Sequence, residues 1–164
     1  LDMLAQTVQQ RLGAKLAAVY LAEDDGQMLR VAAVSGPAEC RRRVGCAYSV
    51  FSTDRRPGFH TGHTARAFTS KAVQIAEDIF ADVEFVPWRI VAEQEGCAVS
   101  LPLVDKGDVL GVLNIYFADR DQLTRQRLRL LMTIAAAASP AIRQSCAREA
   151  ATSRLCEREL NRAA

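Results

Sequence analysis

In the opening stretch LDMLAQTVQQRL, Leu4, Val8 and Leu12 recur at four-residue spacing, which predicts an amphipathic helix over residues 1–12. Gly13 ends it. Lys15–Ala22 (KLAAVYLA) and Met28–Ser35 (MLRVAAVS) read as two strands joined through EDDGQ, a run of turn formers, so a hairpin is expected. Residues 36–62 show no period and read as a long loop, the kind of connection that often carries function. A short helix is expected over His63–Phe68 and a strand over Ala72–Asp78. A helix over Pro87–Gln94 is also expected, since proline is tolerated in a first turn. Cys97–Val104 and Val109–Phe117 flank DKGD as a second hairpin. From Asp121 the pattern is helical, with Leu128, Leu131, Ala135, Ala138 and Ile142 at spacings of three and four; Pro140 is a candidate kink. Runs of strands and helices in this order predict an α+β fold, with a mostly antiparallel sheet and helices packed on its faces.

The chain has 164 residues, enough for one domain with a single core. A net charge of +2 is too small to argue for nucleic acid or a membrane surface. With one Trp and three Tyr there is no stacking platform for single-stranded nucleic acid, and no apolar run is long enough to span a bilayer. The chain opens on Leu1 with no signal-peptide pattern and is read as part of a longer, cytoplasmic polypeptide. Cys40, Cys46, Cys97, Cys146 and Cys156 include no Cys-x-x-Cys pair, so free thiols are expected and a zinc ribbon is not. Beyond Ile142 the sequence is polar and charged, and cannot cover a core alone. Residues 1–142 are therefore taken as the domain, and 143–164 as the start of an output helix or coiled coil.

Four pieces of the chain, in order, resemble a GAF domain, a small-molecule-binding signalling module. LGAKLAAVYLAEDDGQMLRVAAVSG is similar to the family's opening strand pair, and TARAFTSKAVQIAEDI to its central helix and following strand. FVPWRIVAEQEGCAVSLPLVDKGDVLGVLNIYF resembles its last hairpin, and DQLTRQRLRLLMTIAAAASPAI its closing helix; the PWR is similar to GAF domains of bacterial sensor proteins. The resemblance implies a GAF/PAS-like sheet of five to six strands. The terminal helices would cover one face, and short helices and the long loop the other. It implies a ligand-sensing regulatory domain of a larger signal-transduction protein. Such a domain is a homodimer through its terminal helices and is attached to an effector such as a histidine kinase of a two-component system, a diguanylate cyclase or a transcriptional regulator. Cys97 and Gly96 stand where the family often has Ser and Arg.

On this reading an unidentified small molecule is lined by His63, Phe68, Ile75, Asp78, Ile79, Trp88, Cys97 and Val99, with Phe80 nearby. For Cys97 the bland alternative is a small hydrophobe in the sheet. Cys40 and Cys46 lie among Arg41, Arg42, Arg43, Arg55 and Arg56; nearby cations favour thiolates, so this pair is the candidate redox site. The alternative function is accordingly a GAF-fold methionine sulfoxide reductase or a thiol-based redox sensor. The cofactor is unknown. Haem is disfavoured because residues 85–96 contain no histidine, and bilin because no Cys-His pair sits in the segment where bilin-binding relatives carry one. His60 and His63 have no fixed thiol or acidic partner, so no metal is assigned. No Ser-His-Asp order, phosphate-cradling loop or paired carboxylate site is present, and the segment is not read as an enzyme.

Overall fold

The first and last strands of the chain lie side by side at the centre of one antiparallel sheet. The computed structural model describes residues 1–50, 62–79 and 96–163. Its strands are β1 (Leu16–Glu23), β2 (Met28–Ser35), β3 (Ala47–Ser49), β4 (Gln74–Ala76), β5 (Cys97–Asp105) and β6 (Asp108–Phe117), in the sheet order β3-β2-β1-β6-β5-β4. Its helices are α1 (Asp2–Arg11), α2 (Ala38–Arg41), α3 (Gly62–Ser70) and α4 (Arg125–Ala163). The expected helix over Pro87–Gln94, and with it Trp88, Phe80 and His60, lies outside the described residues.

Strand alternation divides the core in two. Ala17, Val19, Leu21, Leu101, Leu103, Leu113 and Ile115 point to one face, where Ala5 and Val8 of α1 and Leu131, Ala135 and Ile142 of α4 cover them. Val8, Leu131, Ala135 and Ile142 are positions that the sequence spacing picks out; Ala5 is buried in the place expected of Leu4 and Leu12, which are only partly buried. Leu16, Ala18, Tyr20, Leu29, Val31, Val112 and Tyr116 point to the other face, against Ala65, Ala67 and Phe68 of α3 and Cys40 of α2.

The β5–β6 hairpin turns on Lys106 and Gly107, both at positive φ (51° and 89°) between the paired Asp105 and Asp108. Two left-handed residues make the turn whose twist matches the strands, and Gly107 takes its position without strain. Arg143 of α4 grips this turn: its Nη2 donates to Asp105 O at 2.6 Å and to Asp108 Oδ2 at 3.0 Å, and its Nε donates to Asp105 Oδ2.

Three elements depart from expectation. The aperiodic stretch after Gly36 contains α2 and β3, each too short to show a period. The last helix starts at Arg125, not Asp121. Asp119 Oδ1 accepts from Asp121 N and holds a 3-10 turn over Arg120–Gln122, and Thr124 Oγ1 then accepts from Arg127 N at 3.1 Å as the cap. The helix then continues to Ala163, with Pro140 inside it.

Candidate functional site

The sheet face under α3 is where polar chemistry is buried. Asn114 is paired with Ala18 of β1 on one side and Ser100 of β5 on the other. Alternation aims both polar side chains at α3, and each is 1 % exposed. Asn114 Nδ2 donates to Thr64 Oγ1 of α3 at 2.6 Å. Among the described residues Asn114 Oδ1 and Ser100 Oγ have no partner. An unpaired buried acceptor or hydroxyl costs roughly 1–3 kcal/mol, so such groups need an explanation.

All three tyrosines of the chain, Tyr20, Tyr48 and Tyr116, belong to this face. Burial pushes the Tyr116 phenol well above its usual range, and nearby Tyr20 adds to the effect. Arg43, half-buried rather than solvated, donates from Nη1 to Tyr48 OH at 3.2 Å. On α3, Arg66 Nη2 lies 2.9 Å from Nε2 of the buried His63.

Of the residues predicted to line a ligand, His63, Phe68 and Ile79 lie on the α3 face. Cys97 and Val99 do not: their parity places them among the core residues under α1 and α4. Ile75 pairs with Val99 and so shares its orientation, lining a groove with Cys97 and Leu128 of α4. Cys97, Val99 and Ile75 therefore lie on the opposite face of the sheet from His63, Phe68 and Ile79, and the eight do not form one lining. Both faces of β5 are buried from Cys97 to Leu101, so alternation separates two sets without saying which helices cover which. Asp78 is exposed, in the turn after β4. The residues sequence reasoning missed are Ser100, Asn114, Thr64 and the tyrosines; Arg43 was named only as a neighbour of the thiols. For Ser100 and Asn114 the signal was a single polar residue interrupting each of two apolar strands, CAVSLPL and GVLNIYF, at matching parity.

The thiols are free at Cys40, Cys46, Cys97 and Cys146. Burial raises the Cys40 thiol despite the lowering influence of Arg43, so the arginine-rich loop does not activate it. Cys46 is exposed. Burial pushes the Cys97 thiol from 9.0 up to about 11, with Asp119 adding to the shift. An acid whose folded pKa is raised contributes stability fully present below the unfolded value. That contribution is lost as pH rises through the folded one. Wild-type stability should therefore decline between pH 9 and 11 more steeply than that of Cys97→Ala, read from urea midpoints at each pH; parallel curves would exclude the effect.

Once fold and site are set out, the relationship to known proteins is clear. The GAF-domain family model matches residues 1–143, and the chain belongs to the GAF domain family. The structure is similar to the GAF domain of an Acinetobacter phosphoenolpyruvate-protein phosphotransferase (TM-score 0.72, 16 % identity, 91 % of this chain and 83 % of that one). It is also similar to the second GAF domain of DevS from Mycobacterium smegmatis (TM-score 0.63, 19 % identity, 90 % and 94 %). A third similar structure is the type II free methionine-R-sulfoxide reductase from Thermoplasma acidophilum (TM-score 0.66, 12 % identity, 87 % and 89 %). At these identities the likeness concerns the fold. A search of curated proteins finds no match. GAF domains are generally regulatory sensor modules, and among the described residues no helix is long and apolar enough to cross a membrane.

Proposed function

We propose that residues 1–142 are a cytoplasmic ligand-sensing regulatory domain of a larger signal-transduction protein, and that residues 143–164 begin its output helix. The observation that carries this reading is the two-sided use of one hairpin. On the α3 face, β5 and β6 hold buried polar atoms without partners. On the opposite face the same strands pack against α4, and Arg143 ties their turn to that helix. A ligand that binds one arrangement of the hairpin better than another shifts the population of the two. The shift reaches α4 directly through shared packing. The protein works as a homodimer, with the terminal helices paired between subunits.

Native mass spectrometry of the purified chain tests both parts at once. The expected result is a dimer carrying a small non-protein species; a bare monomer overturns the proposal. The reductase alternative rests on the surface Cys46 and on the free thiols of this region. Turnover of free methionine sulfoxide with a thiol reductant, abolished by Cys46→Ser, would establish it in place of the sensor.

A further inference from the structure

The unpaired atoms on the α3 face also define what they could bind, provided that face is the ligand pocket. Ser100 and Asn114 are directly opposed across β5 and β6, which sets their Cβ atoms about 4.5–5.5 Å apart. Asn114 donates from Nδ2 to Thr64 Oγ1 and presents Oδ1, which only accepts; Ser100 presents a hydroxyl, which donates or accepts. Their row across the sheet runs Gln74, Ser100, Asn114, Ala18, Val34, and contains no ionisable side chain. Gln74 bonds elsewhere: its Nε2 donates to Ser70 Oγ and Ala72 O. The flanking Ala18 and Ala98 are small and leave the floor low.

A carboxylate placed here would face the Asn114 oxygen, acceptor against acceptor, and the cations of this face, Arg43 beside Tyr48 and Arg66 beside His63, lie outside the row. A neutral cis-amide edge matches the pair in donors and acceptors. Its N–H donates to Asn114 Oδ1 while its carbonyl, about 2.3 Å away in the same plane, accepts from Ser100 Oγ. We infer that the domain recognises a neutral amide, lactam or urea-type molecule through the Asn114–Ser100 pair.

The test uses matched neutral and anionic probes on the whole chain: nicotinamide against nicotinate, benzamide against benzoate, and 2-pyridone as the lactam. Melting temperature and amide chemical shifts are followed for wild type, Ser100→Ala and Asn114→Leu. The neutral members should raise the wild-type melting temperature and the carboxylates should not. Ser100→Ala should raise the melting temperature without probe by a few degrees, because it removes a buried unpaired hydroxyl, while weakening the neutral probes about tenfold. That opposite movement separates a binding role from a structural one. If carboxylates bind as well as or better than amides, the inference is wrong and the pocket reading survives. If neither set binds and the native mass is bare, both are wrong. A Ser100→Ala protein that melts lower and binds amides unchanged also overturns the inference.

Discussion

Gly111→Ala is expected to lower stability by on the order of 4 kcal/mol, most of what a domain of this size has to lose. Gly111 sits in β6 opposite Leu21 of β1. A Cβ there would lie 1.9 Å from Tyr20 O and 3.0 Å from Leu21 Cα. Both are backbone atoms, so no side chain can rotate out of the way. β1 cannot retreat either, because it is hydrogen-bonded to β2 on its other edge. The substitution must therefore break the register at the middle of the sheet or push two central strands apart. Urea unfolding reads the loss as a lowered midpoint, and a soluble, fully folded variant within 1 kcal/mol of wild type would sink the argument.

Leu131→Ala should come next, with a loss of roughly 2–5 kcal/mol. Leu131 is 0 % exposed and packs α4 onto the core face it shares with Leu101, Leu103 and Leu113. Truncation leaves a cavity between the helix and the sheet, and neither can collapse far to fill it. The loss should not be uniform. Hydrogen exchange is expected to accelerate first in α4 and α1, whose apolar partners lie on that face, and last in β1 and β6. Equal acceleration throughout would mean that α4 and the sheet open as one unit.

Much of this architecture was legible before any coordinates. Met28–Ser35 is a strand with the bounds its apolar run implies, and the second hairpin follows from two alternating segments around Asp-Lys-Gly-Asp. Leu128, Leu131, Ala135, Ala138 and Ile142 mark the buried stripe of α4 because that helix is covered on one side only. What failed to show was of two kinds. α2 and β3 are too short for periodicity to register. The second kind is positional. Tyr20, Tyr48 and Tyr116 are far apart in the chain and meet only because β1 and β6 are neighbours at the sheet centre, with β3 at its edge. Cys97 drew attention as a thiol at a strand start, but the chemistry-bearing positions of that strand carry the opposite parity. Ser100 was the informative residue there, and Asn114 its counterpart.

The pairing of the first strand with the last also bears on how the molecule folds. Leu16 is registered with Tyr116, one hundred residues further along the chain. Helices and the two hairpins can form early from local contacts, but the sheet has no centre until β6 finds β1. Joining distant segments carries a loop-closure cost that must be met before the contact rewards it, and chains dominated by such pairings fold in milliseconds to seconds. During that interval β1 presents an open edge along the apolar run LAAVYLA. A stretch of that kind awaiting its partner is where a second chain can insert, so yield on refolding should fall as protein concentration rises.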